Sequence, residues 1–229
     1  MQGEQPKNPI GRSELKHVIN PVDHVLLTQK LTKVLRRDRN ADASGIYRVR
    51  SLYFDNFDDK VLMEKAIGIA AREKFRIRYY GEDTANIKLE KKAKINGLCI
   101  KQSAPIAKRT VQALLLGEYR ALLDEEQPLQ LELYAKMHSQ LLRPRAIVDY
   151  AREAYVYPPG NVRVTIDFDI RASSDIARFL THSYVGANNG HTVLEVKYDA
   201  FLPNLVRDIL QMDARKSTSY SKYAMSRML

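Results

Sequence analysis

From Arg72 to Tyr80 every second residue is a cation: Arg72, Lys74, Arg76 and Arg78 share one parity, Phe75, Ile77 and Tyr79 the other. A β-strand sends alternate side chains to opposite faces, so this segment puts four positive charges on one face and an apolar row on the other. The same design recurs at Arg12-x-Glu14-x-Lys16, Arg48-x-Arg50, Lys88-x-Glu90-x-Lys92, Arg163-x-Thr165-x-Asp167-x-Asp169 and Glu195-x-Lys197. Like charges on neighbouring strands repel. A wall of cations holding a few carboxylates therefore suits a polyanion and its metal ion, which points to phosphate chemistry. The plain alternative is that the charged face is the wet side of an open sheet.

The net charge of +10 over 229 residues also favours an anionic partner, without choosing among nucleic acid, a phosphorylated small molecule, polyphosphate and an anionic membrane. Cys99 is the only cysteine, so no intrachain disulfide forms and a reducing compartment is compatible. The polar start, Met1 to Pro9, carries no apolar core of a secretory signal, and no run reaches the length of a membrane span. A cytoplasmic location is expected. The five histidines show no zinc-type spacing, and neither GxGxxG nor GxxxxGK[ST] is present.

Residues 1–10 read as a flexible tail, followed by a single domain over 11–229. Strands are expected near 11–19, 46–55, 71–80, 86–94, 98–103, 145–157, 161–170 and 192–199. Asn20-Pro21 reads as the cap and first residue of a helix over about 21–36, and Arg36 to Gly45 as a polar loop. Asn56 is read as the cap of a short helix carrying Val61 and Leu62. Asn96-Gly97 is a hairpin turn signal, and so is Pro158-Pro159-Gly160. Residues 105–142 read as helical, 173–190 as a helical or loop excursion, and short helices are placed after Pro203 and near Ser221. Hairpins dominate over βαβ spacing, so the fold class is α+β with a mainly antiparallel sheet, and eight strands suffice to close a barrel around a small ligand.

The chain resembles the VTC domain, the polyphosphate-polymerase domain of the vacuolar transporter chaperone family, within the triphosphate tunnel metalloenzymes. The matching pieces run in order: Arg12-Ser-Glu14-Leu-Lys16, Ser51-Leu-Tyr53-Phe-Asp55-Asn56, Lys74-Phe-Arg76-Ile-Arg78-Tyr79, Leu89-Glu90-Lys91-Lys92, Lys101, Pro144 to Arg152, Val162 to Asp167, Leu194-Glu195-Val-Lys197-Tyr198 and Ser221-Lys222-Tyr223. The resemblance implies an antiparallel eight-stranded tunnel barrel whose basic lumen binds the ATP triphosphate and a growing polyphosphate chain. By position it implies Lys16, Arg76, Arg78, Lys92, Lys101, Tyr150, Arg152 and Lys222 as phosphate ligands and Glu195 as the metal-binding carboxylate. Ser219 stands where family members often carry a basic residue. The inositol-phosphate-sensing domain and the membrane spans of the eukaryotic versions are not read in this sequence, so coupling of synthesis to transport would need a membrane partner.

The residue types fit that chemistry. Phosphoryl transfer needs positioning and cations placed where charge develops. Arg76 and Arg78 sit two apart, so both guanidinium forks can face one phosphate chain. Lys92 and Lys101 flank the Asn96-Gly97 hairpin and could meet across it, whereas Lys94 is expected to point outward and Lys88 and Lys91 to be solvated. A hard cation, Mn²⁺ or Mg²⁺, takes oxygen ligands, often one carboxylate plus substrate phosphates. Glu195 is the first candidate, with an ion pair to Lys197 as its alternative role. Glu14 and Glu90 either share the metal or orient Lys16 and Lys92; Asp167 and Asp169 stay open between the same two roles. Tyr150 can donate to a phosphate oxygen, and Ser221 and Lys222 sit where a helix start offers N–H groups to an anion, unless Ser221 is only a cap.

Three functions remain open on the sequence. One is a polyphosphate polymerase using ATP, one an inorganic tripolyphosphatase with water as acceptor, and one a non-catalytic polyphosphate-binding module. No nucleic-acid partner is expected, because the carboxylates among the cations would repel a nucleic-acid backbone.

Overall fold

Alternation becomes a sheet. The computed structural model describes residues 13–227 apart from 40, 42, 96–97, 182, 184–185 and 219. Arg12, the Asn96-Gly97 turn and Ser219 thus lie outside the described residues. The strands are β1 (Ser13–Ile19), β2 (Arg36–Arg37), β3 (Ile46–Asp55), β4 (Arg72–Tyr80), β5 (Asp83–Ile95), β6 (Leu98–Pro105), β7 (Arg143–Tyr157), β8 (Val162–Ser173), β9 (Ala187–Asn188) and β10 (Thr192–Tyr198). The helices are α1 (Pro21–Val34), α2 (Lys60–Ala66), α3 (Lys108–Leu115), α4 (Pro128–Ser139), α5 (Asn204–Leu210) and α6 (Lys222–Ser226). Among the described residues no helix is long and apolar enough to cross a membrane.

Eight strands form one antiparallel sheet in the order β1-β10-β8-β7-β3-β4-β5-β6, with β2 added on β7 and β9 on β8. β1 and β6 end that order. The sheet curls into a half-barrel, and side chains span its trough: Lys92 Nζ on β5 donates to Glu14 Oε2 on β1 at 3.0 Å.

The convex side is covered and apolar. Leu52, Ile77, Leu89 and Ile147 pack against Val111 and Leu114 of α3 and Leu129, Leu133 and Met137 of α4. Tyr155, Val164, Ile166, Leu194 and Val196 pack against Leu27 and Leu31 of α1 and Val206 and Leu210 of α5. With both outer halves sealed by helices, the opposite parity is left to face the trough. There a smaller cluster, Tyr47, Val49, Tyr53, Val148, Tyr150 and Val193, receives Tyr223 from α6 and Val61 and Leu62 from α2.

Local signals account for most boundaries. Asn20 Oδ1 accepts from Asp23 N at 2.8 Å, with Pro21 at the first helical position of α1. The cap of α2 is shared. Asn56 Oδ1 accepts from Lys60 N at 2.9 Å, but the buried Asp55 carboxylate takes the N–H groups of Val61 and Leu62, at 2.9 and 3.3 Å. The expected helical stretch 105–142 is broken in the middle. Gly117, at φ +88°, ends α3 in the left-handed conformation, and Pro128 opens α4. The loop read over 36–45 begins with β2, and the 173–190 excursion contains a 3₁₀ turn at Ile176–Leu180 and β9.

Two parts of the alternating pattern do not join the inner face. Arg48 and Arg50 of β3 have the parity opposite to Ser51 and Tyr53 and bind Asp149 on the convex side; Arg50 also donates to the carbonyls of Phe179 and Ser183. Asp169 leaves the row Arg163-Thr165-Asp167. A register shift between β7 and β8, with Asp169 at φ +47°, adds one residue and reverses the parity beyond it. Asp169 then accepts from Arg48 and Arg171, at 3.0 and 2.9 Å, which removes it from any inner metal site.

Candidate active site

The trough-facing residues fall into three linked groups. The first is built on β4, because Arg76 and Arg78 sit opposite Tyr53 and Ser51 of β3 on one side and Glu90 and Lys88 of β5 on the other. Arg76 donates to Glu90 Oε2 from Nε at 2.7 Å and pairs with it from Nη2 at 2.6 Å, and Lys101 Nζ lies 2.5 Å from Glu90 Oε1. Burial alone would raise the Glu90 carboxyl. Arg76, Arg78 and Lys101 together reverse that and hold it at about 2. Glu90 thereby stays ionised between Arg76 and Lys101. Arg78 Nε donates to Ser51 Oγ at 2.9 Å and its Nη2 to Tyr150 Oη at 3.3 Å. Lys92 and Lys101 are directly opposite in the β5–β6 register, and Lys101 keeps its side chain half exposed.

The second group lies on β1 and β10, where Lys16 opposes Glu195 and Glu14 opposes Lys197. Glu14 accepts from Lys16 at 2.5 Å and from Lys92 at 3.0 Å, and Glu195 is ion-paired to Lys197. The two carboxylates feel each other. Burial and Glu195 push the Glu14 carboxyl up, but Lys16, Lys92 and Lys197 outweigh them and bring it to about 2. Glu195 also stays ionised, well below the usual range: burial opposes this, and Lys197, Lys16, Arg152 and Lys222 overcome it.

The third group joins β7, β8 and α6. Arg152 binds Asp167 bidentately, and Lys222 Nζ lies 2.5 Å from Asp167 Oδ2 and 4.7 Å from the centre of the Tyr150 ring. Asp167, fully buried, is ion-paired to both of these cations. The Ser221 hydroxyl accepts from Ala224 N at 3.3 Å and acts as a cap.

Several trough residues escaped the sequence reading of the site. Lys74 shares the parity of Arg76 and lies over the Tyr53 ring at 6.0 Å. Its ammonium is pushed down to about 8, first by burial and then by Arg76, Lys92 and Lys16, with Tyr53 opposing. Lys197 had the parity of Glu195 as its signal. Tyr53 stood in the matching piece Ser51-Leu-Tyr53-Phe-Asp55-Asn56 but was given no role, since a lone tyrosine in that strand reads as core. Lys94, expected to point outward, lines a cavity of ≈ 370 Å³ at one end of the trough with Glu14, Lys65, Arg72, Lys74 and Lys92, over a floor of Val61, Leu62 and Tyr223. Lys91, expected to be solvated, pairs with Glu73 and Glu132 on the outer side.

Among the described residues no group of three or more His, Cys, Asp or Glu side chains is arranged to hold a metal by itself. The donor set still fits a hard cation. Glu14 and Glu195 are ionised oxygen donors on adjacent strands of one face. Mg²⁺-type ions commonly take one or two carboxylates and complete their coordination with substrate phosphates.

Comparison with known proteins agrees with this geometry. The family model described as the VTC domain matches residues 11–229. Among solved structures, a Bacillus halodurans protein provisionally named an adenylate cyclase aligns at TM-score 0.50 and 13% identity, covering 92% of this chain and 95% of that one. A Vibrio parahaemolyticus protein with the same provisional name aligns at TM-score 0.50 and 9% identity, covering 94% and 98%. The PH1819 protein of Pyrococcus horikoshii aligns at TM-score 0.49 and 12% identity, covering 95% and 98%. At these identities the likeness to the Bacillus and Vibrio proteins is one of fold. No curated protein matches the sequence significantly.

Proposed function

The chain belongs to the VTC domain family, and from that premise we propose that it is a polyphosphate polymerase, moving the γ-phosphate of ATP onto a growing polyphosphate chain held in the trough. The observation that carries this reading is the crowding of cations from separate strands onto one concave face, dense enough that Lys74 is held down to about 8 by burial and by Arg76, Lys92 and Lys16. Such a face is relieved by a bound polyanion, and a linear one follows its length.

In this reading Arg76 and Arg78 take oxygens of the transferred phosphoryl group, where guanidinium forks meet the spreading charge of a loose transition state. Glu90 keeps Arg76 and Lys101 in place. Lys16, Lys92, Arg152 and Lys222 hold the neighbouring phosphates, and Tyr150 donates a hydrogen bond. The attacking oxygen of a chain end is already anionic at neutral pH, and ADP leaves as an anion, so no general base is required. Glu195, with Glu14 beside it, would hold Mn²⁺ or Mg²⁺. When bound, the ion would neutralise charge on the phosphates and fix their orientation. The carboxylates interleaved among the cations argue against a nucleic-acid backbone as the partner. A cytoplasmic setting, where ATP is supplied, belongs to the same reading, as does a membrane partner for any export of the chain.

The test is incubation of the purified protein with ATP and Mn²⁺ or Mg²⁺, with products resolved on a gel stained for polyphosphate and assayed for free phosphate. Polymer supports the proposal. Free phosphate with no polymer at any protein concentration replaces it with a tripolyphosphatase. Binding without turnover replaces it with a polyphosphate-binding module.

A further inference from the structure

We propose that Tyr53 is a ligand of the phosphate chain, and that its hydroxyl takes up a proton from solvent as the chain enters the trough and returns it as the chain leaves. The inference rests on the trough being a phosphate-chain site, and it adds a group that the cation pattern does not reveal.

Tyr53 opposes Arg76 in the β3–β4 register, so its ring projects onto the inner face beside the arginine row, and it is 4% exposed. Arg76 Nη1 donates to its oxygen at 3.3 Å. A phenol is both acceptor and donor. Arg76 uses the acceptor side, and no described residue accepts the hydroxyl proton. A buried O–H with no acceptor is costly. It has two remedies: release the proton, or give it to an acceptor that arrives with the ligand.

The surroundings allow both. From β4, Lys74, Arg76 and Arg78 face the ring. From β7 its register partner is the apolar Ala146, with the Tyr150 hydroxyl further along. From β5, Glu90 is spent on Arg76 and Lys101. From α6, Tyr223 stacks on the ring at 5.1 Å and 27° between planes. The Tyr223 hydroxyl donates to Asp55 at 2.6 Å, so that carboxylate is turned to Tyr223. The stack fixes the Tyr53 ring, and positive charge dominates around its oxygen. Burial by itself raises the phenol, but Arg76, Lys74 and Arg78 outweigh it and bring it to about 7. Before a chain binds, partial ionisation of this hydroxyl gives Arg76 a counter-ion. A phosphate chain on Arg76 and Arg78 brings its own negative charge to the same place. The phenolate is then repelled, binds a proton, and has an O–H to donate to a chain oxygen. Lys74 is protonated in the same event, so a bulk count of protons does not isolate Tyr53. The absorption of tyrosinate does.

The test uses inorganic tripolyphosphate as the probe, without ATP or turnover. At about pH 8 the wild-type protein is expected to show a tyrosinate band that disappears on titration with tripolyphosphate. Tyr53→Phe, which keeps the stack on Tyr223, should lack that band change and, compared at about pH 6 where the wild-type hydroxyl already holds its proton, bind tripolyphosphate roughly tenfold more weakly. Tyr134→Phe, on the outer helix α4, should behave as wild type. If tripolyphosphate binds wild type and Tyr53→Phe equally, or if the band is untouched by binding, this inference alone is overturned. If tripolyphosphate does not bind the wild-type protein, the phosphate reading of the trough fails and the inference falls with it.

Discussion

Arg152 grips Asp167 at two points, Nε to Oδ1 at 2.6 Å and Nη2 to Oδ2 at 2.8 Å, and the pair is closed from above by Lys222 at 2.5 Å. Asp167 is 0% exposed. Removing one partner of a buried ion pair leaves the other uncompensated, at a cost of about 3–5 kcal/mol. Asp167→Asn is therefore expected to lower the denaturation midpoint strongly and to regain part of the loss when tripolyphosphate is added, because the freed cations then have a partner. A midpoint equal to wild type would show that the triad does not support the fold.

Arg76 and Arg78 differ in a way that a binding assay can resolve. On the proposed function each would contribute a charge-assisted contact of roughly 1.5–3 kcal/mol, so alanine at either position should weaken tripolyphosphate binding about tenfold or more. Arg76 also neutralises Glu90. Arg76→Ala leaves that carboxylate turned toward the ligand and is expected to be the more damaging change. Equal, small effects on the dissociation constant would mean that neither arginine faces the phosphates.

Glu195→Gln keeps shape and removes charge. It should abolish metal-dependent turnover at ordinary metal concentration while the circular dichroism spectrum stays native. Retained activity would assign the metal to Glu14 instead. A metal titration of Glu14→Gln alongside distinguishes the two.

Acid should loosen the molecule in a defined window. Glu14 and Glu90 have folded-state values of about 2 against an ordinary 4.5. A depressed carboxyl stabilises the fold above its unfolded value, and that stabilisation is lost as the pH falls. Stability from these two groups is thus expected to be constant above about pH 5 and to decline between 4.5 and about 2. Urea midpoints measured across that range should fall less steeply in Glu90→Gln.

Lys222 stands between Asp167 and the Tyr150 ring, near the C-terminus, and on the proposed function it is the candidate for holding the polymer on its way out. Lys222→Ala is expected to shorten the polyphosphate product more than it weakens ATP binding. Unchanged product length on the stained gel would remove Lys222 from the path of the chain.

Alternation at Lys74, Arg76 and Arg78 was enough to say that these cations share a face, because the period of a strand is a property of two bonds and needs no partner. The Asn20 cap with Pro21 was local in the same sense, and so was visible, whereas the break between α3 and α4 at Gly117 and Pro128 was read through. The same rule overreached at Arg48 and Arg50, which alternate correctly but on the convex side, and at Asp169, where one inserted residue reverses the parity. Local spacing contains neither the side that curls inward nor the site of a bulge.

The sequence by itself determined the strand faces, the antiparallel order of hairpins and the excess of cations over carboxylates. Only the tertiary structure decided which charges neutralise one another. Glu90 goes to Arg76 and Lys101, Glu14 reaches Lys92 across the trough, and Asp167 is taken by Arg152 and Lys222. It also decided that Tyr53, unremarkable in its strand, lies among three cations. The reason is range. Side-chain parity is set by neighbours two residues apart, whereas ion pairing depends on sheet register and curvature, which join residues as distant as Glu14 and Lys92.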